Sequence, residues 1–206
     1  MSESYPSKVE ILEKEPLLRA YSKVNRYHLR HELFSGKIGP VLVRDIIEHK
    51  HAIAVLLYDP QADAVVLIEQ FRAPPHIAGI KNPWLLEVVA GVIEEGETLE
   101  DVCLRECTEE TGLQPKGLFH IQTWFTTPGI CTETVSLWCG AVDSTKAGGT
   151  HGLANEGEDI RVVVHPVASI RNMLLDSTIS NGTTLIALQW LLLNYQATRE
   201  KLARAQ

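Results

Sequence analysis

Three glutamates, Glu106, Glu109 and Glu110, stand beside Arg105 within one short stretch of chain. Residues three and four apart share a helix face, so this spacing gathers the acids together. Unrelieved, like charges so placed destabilise a helix by about 0.2–0.5 kcal/mol per pair. A cation reverses that penalty, and hard divalent ions prefer oxygen ligands of this kind. The stretch therefore reads as a metal site, with a solvated acidic helix face as the alternative.

The cluster needs a helix to hold it, and the flanking residues predict one. Thr98 suits the N-cap, with Asp101 three residues on as the shorter acid of a capping box. Acids fill the first turn, as the helix dipole favours. Gly112 follows where a left-handed C-cap is wanted. Cys103, Leu104, Cys107 and Thr111 fall on the adjoining face, which is expected to pack on a core. Arg105 precedes Glu109 by four residues, so the two are expected to form a bridge that orients the carboxylate.

Residues 91 to 113 resemble the Nudix box, G-x5-E-x7-R-E-U-x-E-E-x-G-U, where U is aliphatic. Gly91, Glu97, Arg105, Glu106, Glu109, Glu110, Gly112 and Leu113 fill their positions. Cys107 stands at the first U as a small apolar thiol. Ile68 to Arg72, Trp84 to Glu87, Thr127-Pro128-Gly129 with Glu133, and Ala154 to Ile160 are similar to the ADP-ribose pyrophosphatase branch. The likeness spans roughly residues 20 to 195.

The resemblance implies a fold, a reaction and a set of roles. The fold is α/β, a mixed β-sheet between helices (α/β/α), with a small N-terminal antiparallel β-sheet region. The reaction is magnesium-dependent hydrolysis of ADP-ribose to AMP and ribose 5-phosphate, with manganese as a second candidate ion. Glu106, Glu110, Glu158 and the Ala90 carbonyl are the implied metal ligands. Glu109 binds metal or supports that shell, Arg105 orients the acids, and Glu97 hydrogen-bonds within the box. Gly91 and Gly112 are structural. The implied base is Glu156, with Glu158 next in line, on a loop rich in Gly148, Gly149, Gly152 and Gly157. Arg44 and Arg72 match substrate-contacting arginines, Glu133 matches a ribose-contacting acid, and Tyr21 and Tyr27 are candidates to stack on adenine. For the loop acids, the arginines and the tyrosines, ordinary structural roles remain open. The family likeness also implies a homodimer with exchanged N-terminal sheets, in which Arg44 and Tyr21 serve the partner's site.

Two other readings stay in view. One keeps the chemistry but changes the substrate to GDP-mannose or another nucleoside diphosphate derivative. The other is a non-catalytic sensor of ADP-ribose, although sensors often lose box carboxylates and this chain keeps them.

The whole chain sets looser bounds. Its 206 residues suffice for one full core. Hydrophobic residues at 45% and charged residues at 22% are ordinary for a soluble globular protein. A net charge of −7 argues against a general nucleic-acid binder. Cys103, Cys107, Cys131 and Cys139 lack a Cys-x-x-Cys or a nearby histidine, so free thiols are expected rather than zinc. His49 and His51 are expected to be structural. No signal peptide is evident, and the run from Leu185 to Leu193 is too short to span a bilayer, so a cytoplasmic location is expected and no membrane partner.

Along the chain, residues 1–50 are expected to form an N-terminal β region and 51–206 the hydrolase domain. Residues 1 to 20 read as mixed and polar. Patchy alternation from Tyr21 to Ile47 predicts two or three antiparallel strands. Apolar runs at Ala52 to Tyr58 and Ala64 to Gln70 predict buried strands. Ala73 to Pro83 reads as a loop and Trp84 to Val89 as a short strand. Strands follow at Ile121 to Thr126, Val135 to Val142 and Arg161 to His165. Thr145 to Glu158 reads as a mobile loop, and Val167 to Leu175 and Thr183 to Leu202 as helices.

Overall fold

The computed structural model describes residues 6–205. They divide into two compact units, residues 6–51 with Phe125–Thr134, and Ala52–Trp124 with residues 135–205. In the first unit, β1 (Val9–Arg19), β2 (Lys23–His31) and β3 (Leu42–Glu48) form an antiparallel sheet in the order β1-β2-β3. A bridge between Ile47 and Cys131 joins the Phe125–Thr134 segment to this unit.

β1 departs from the polar, loose reading of the first twenty residues; residues 1–5 lie outside the described set. Its register slips between Ile11 and Glu13 and again between Pro16 and Leu18. Each irregularity flips the alternation, so no period of two survives in the sequence.

The second unit holds β4 (Ala52–Asp59), β5 (Ala64–Phe71), α1 (Ala73–Ile77), β6 (Trp84–Glu87), β7 (Val89–Val92), α2 (Leu99–Thr111), β8 (Lys116–Phe125), β9 (Thr134–Ala141), β10 (Thr150–His151), β11 (Ile160–Pro166), α3 (Val167–Leu175), α4 (Gly182–Leu193) and α5 (Tyr195–Ala203). The sheet order is β10-β11-β5-β4-β9-β8, with β6 paired to β5 and β7 to β4. β4 and β9 run parallel, which makes the sheet mixed.

Strict alternation along β4 and β5 sends side chains to two cores. Ile53, Val55, Leu57, Val66 and Ile68 meet Val102, Cys103 and Cys107 of α2. Ala54, Leu56, Tyr58, Val65 and Leu67 share the opposite core with Ile170 of α3, Leu188 and Leu191 of α4 and Leu202 of α5. This is the expected α/β/α sandwich, and the first unit holds the expected small antiparallel sheet.

Two predicted elements differ in detail. The Ala73 to Pro83 loop begins with a short helix, because two prolines occupy its first turn, where their missing N–H groups cost nothing. The helix predicted from Thr183 to Leu202 breaks at Asn194, whose side-chain amide donates to the Trp190 carbonyl. At the hairpin between β4 and β5, the buried Asp59 carboxylate accepts from the Gln61 and Ala62 amides and from the Ser144 amide and hydroxyl. No helix among the described residues is long and apolar enough to cross a membrane.

Candidate active site

The box helix is made locally and then tied to the sheet. Thr98 caps α2 by accepting from the Asp101 amide at 3.2 Å, and its hydroxyl donates back to the Asp101 carboxylate at 2.6 Å. Gly112 ends the helix at φ 70° and returns its N–H to the Thr108 carbonyl. A side chain at Gly112 would also crowd the His151 ring at 3.0 Å.

Arg105 is the hub of the acidic turn. Its Nε donates to Glu97 at 2.8 Å and Nη2 to the same carboxylate at 3.1 Å, a two-pronged grip that suits a guanidinium. Nη1 reaches Glu106 at 2.6 Å and Glu109 at 3.2 Å, the latter being the expected bridge across four residues. Glu97 also accepts from the Glu94 amide at 3.0 Å, which anchors the loop before the helix. The Glu97 hydrogen bond, first among several causes, raises the already high pKa of Arg105, so it stays cationic.

Glu106 and Glu110 face inward. A Cβ on Gly91 would fall 1.8 Å from the Glu106 carboxylate oxygen, so glycine is what lets that carboxylate lie against β7. Glu110 is buried and accepts from the Ala90 amide at 3.2 Å. Burial pushes Glu106 up to about 7 against the pull of Arg105, and the charges of Glu109 and Glu158 add to the rise. Burial likewise holds Glu110 well above the carboxylate range, opposed by the Ala90 amide and reinforced by Glu106 and Glu158.

The loop acids are placed differently from each other. Glu156 is exposed, at the end of a 3-10 turn, Ala154–Glu156, that Gly157 closes at φ 73°. Glu158 is half-buried and accepts from the Leu153 amide at 2.9 Å. The Gly152 amide donates to the Glu109 carbonyl at 3.1 Å, which ties this loop to the end of α2. The charge of Glu158 acts on Glu106 and Glu110, whereas Glu156 stands in solvent.

Arg72 belongs to the same group, since the charges of Glu110 and Glu158 act on it. Its main partner is Glu87, at 2.7 Å from Nη2. Glu87 received no role from sequence reasoning, although one acid inside an apolar strand was a visible signal. Asn181, which donates to Glu87 at 3.0 Å, left no signal beyond its fitness to cap a helix.

Four predicted substrate residues lie in the first unit. Arg44 is exposed and donates to its neighbour's carbonyl on Val43. Tyr21 is 90% exposed, with its ring 6.1 Å from that of His49. Glu133 accepts from the Thr126 hydroxyl at 2.9 Å and lies 3.1 Å from His49 Nδ1. Tyr27, the other stacking candidate, donates its hydroxyl to Glu48. His51 bonds Thr134, so both histidines of the pair act within this unit. The four cysteines are free, as expected.

Among the described residues, no three His, Cys, Asp or Glu side chains converge as a ready-made cage. The chemistry of the donors nevertheless fits a divalent ion. Glu110 is held out of water and Glu106 is partly buried; their charges repel, and desolvation is the main cause of both raised values. A hard cation relieves that cost and binds oxygen.

Known proteins resemble this chain along most of its length. The NUDIX domain matches residues 48–182. The chain is similar to the ADP-ribose pyrophosphatase of Escherichia coli K12, 43% identical over 195 residues, covering 95% of this chain and 93% of the relative. It is similar to the ADP-ribose pyrophosphatase of Haemophilus influenzae, 40% identical over 199 residues, covering 96% and 92%. A GDP-mannose pyrophosphatase of Yersinia pestis is 30% identical over 183 residues, covering 89% and 91%. The crystal structure of an ADP compounds hydrolase has a TM-score of 0.71 at 18% identity, covering 96% of this chain and 99% of that one, a likeness of fold alone. With the domain match across most of its length and the box geometry built as the motif requires, the chain belongs to the Nudix family.

Proposed function

We propose that this protein hydrolyses the pyrophosphate bond of ADP-ribose to AMP and ribose 5-phosphate with magnesium, or manganese in its place. The observation that carries the reading is the pair of buried Glu110 and partly buried Glu106, two carboxylates raised mainly by desolvation that a cation would relieve. In this reading Glu106, Glu110, Glu158 and the Ala90 carbonyl hold the ion, and Glu109 supports them. When bound, the ion neutralises pyrophosphate charge and makes water a better nucleophile near neutral pH.

The chain's own residues do the rest. Arg105 holds Glu106 and Glu109 in place and Glu97 holds Arg105. Arg72, held by Glu87 through Nε and Nη2, grips a phosphate oxygen with Nη1. Glu156 takes the proton from the attacking water, with Glu158 as the alternative base. The exposure of Glu156 suits a base that swings in when substrate closes the loop. Phosphoryl transfer depends chiefly on such positioning and charge neutralisation.

Two copies pair through their N-terminal strands, and Arg44, Tyr21 and Glu133 contact substrate, the first two in the partner's site. The exposed apolar residues of β1 support this, and so does the family likeness. A cytoplasmic location and the absence of nucleic-acid partners belong to the same reading.

Purified protein with magnesium should release AMP from ADP-ribose faster than GMP from GDP-mannose, and Glu110→Gln should remove both. The weaker identity to GDP-mannose pyrophosphatases makes the guanine substrate the second arm. Binding of ADP-ribose without product would establish a sensor instead.

A further inference from the structure

We propose that Asn181 is a positioning residue for Arg72, acting through the buried carboxylate of Glu87. The inference rests on the phosphate-gripping role of Arg72 proposed above.

Glu87 lies at the end of β6, only 3% exposed. Both its oxygens are engaged. Asn181 Nδ2 donates to Oε1 at 3.0 Å, and Gln70 Nε2 donates to Oε2 at 3.3 Å. Arg72 then meets an acceptor that is already oriented: Nη2 to Oε2 at 2.7 Å, and Nε at 3.2 and 3.3 Å to the two oxygens. Nη1 is not among the nitrogens that Glu87 engages. The Arg72 side chain is 42% exposed, and its guanidinium is fixed on one edge by the bonds from Nε and Nη2.

Asn181 can orient Glu87 because it is fixed at its other end. Its Oδ1 caps α4, accepting from the Thr184 amide at 2.9 Å and the Thr184 hydroxyl at 3.1 Å. That hydroxyl accepts from the amide of Val88, next to Glu87, at 3.0 Å. One amide side chain therefore faces two ways: its oxygen terminates a helix, and its nitrogen sets the acid that aims Arg72. A plain N-cap needs only the oxygen, so the nitrogen's partner sets this position apart from an ordinary cap.

The two functions separate by substitution. Serine is as good an N-cap as asparagine but carries no amide donor. Aspartate keeps the capping oxygen and sets a like charge against Glu87. We expect Asn181→Ser to leave Tm near that of the parent and kcat within about threefold, while KM for ADP-ribose rises about tenfold, the factor for one charge-assisted contact. Asn181→Asp should raise KM at least as far. In an Arg72→Ala background, Asn181→Ser should add nothing. The Arg72 Nε–H resonance should exchange faster with water in Asn181→Ser than in the parent.

An equal KM rise in the Arg72→Ala background would overturn the proposal, since Asn181 would then act on the fold at large. An unchanged Arg72 Nε–H signal in Asn181→Ser would overturn it too. If the parent protein fails to cleave ADP-ribose, the reaction assigned above falls, and the Arg72 Nε–H signal alone still decides whether Asn181 positions the guanidinium.

Discussion

α2 and β1 treat burial in opposite ways. α2 places Val102, Cys103, Cys107, Glu110 and Thr111 out of solvent, whereas every residue of β1 is exposed. In α2 the costly feature is polar: a carboxylate taken from water without a full partner. In β1 the costly feature is apolar: Val9, Ile11, Leu12, Leu17 and Leu18 stay in solvent. Each region carries an unmet demand that identifies the missing partner. A buried acid beside a partly buried one calls for a cation, and an exposed apolar strand calls for another protein surface.

The largest effect expected concerns the first demand. Glu106→Gln should lower ADP-ribose turnover by at least about a thousandfold, because several kcal/mol of transition-state charge stabilisation goes with the ion. Metal binding measured by calorimetry should weaken in step. Turnover within tenfold of the parent would remove Glu106 from the metal shell and make α2 an ordinary acidic helix.

Glu156→Gln should lower kcat by about a hundredfold or more, the low end for a general base, with little change in Tm. Near-normal turnover would pass the role to Glu158, the acid whose charge already acts on Glu106 and Glu110.

The carboxylate of Asp59 shows what a satisfied buried acid looks like beside Glu106 and Glu110. Burial alone would raise its pKa, but the bonds from Ala62, Ser144 and Gln61 outweigh that and hold it below the usual value. Its contribution to stability is therefore present above the unfolded carboxylate range and lost as pH falls through the folded value. Asp59→Asn should cost about 2 kcal/mol, or roughly 4–8 °C in Tm, by thermal denaturation at pH 7.

Glu106 has the opposite sign. Its folded value of about 7 lies above the unfolded 4.5, so folding takes up protons in between. In metal-free protein this lowers stability as pH rises from about 4.5 to about 7, with no further change above. Urea titrations in chelator should show that decline, and Glu106→Gln should flatten it. Added magnesium should offset it in the parent and not in the variant.

The smallest effect on the folded chain, and the sharpest on assembly, is expected in β1. Ile11 is 63% exposed, so Ile11→Lys should leave Tm nearly unchanged. Sedimentation should nonetheless shift from dimer to monomer. A variant that remains dimeric would move the proposed interface away from β1, and a parent that sediments as an active monomer would abolish it.

Much of the site was legible because it is local. The capping of α2 by Thr98, its end at Gly112 and the Arg105 bridge to Glu109 all lie within about two turns of their partners, and spacing decides such contacts. The continuous apolar runs announced β4 and β5, which are buried on both faces. β1 was not legible, because an exposed strand with two register slips has no period to read. Nor were Glu87 and Asn181, which lie 94 residues apart and meet only when α4 docks on β6.

Sequence alone therefore determined the helix that carries the acids, the order of those acids along it and the family to which the pattern belongs. These follow from backbone hydrogen bonds and side-chain period, which act over a few residues. Tertiary structure alone decided that Glu110 is shut away from water, that the charge of Glu158 acts on Glu106 and Glu110 while Glu156 stands in solvent, and that Arg72 is aimed by Glu87. Burial and long-range electrostatics depend on what packs against a residue, and that is set by the sheet and its covering helices rather than by neighbours in the chain.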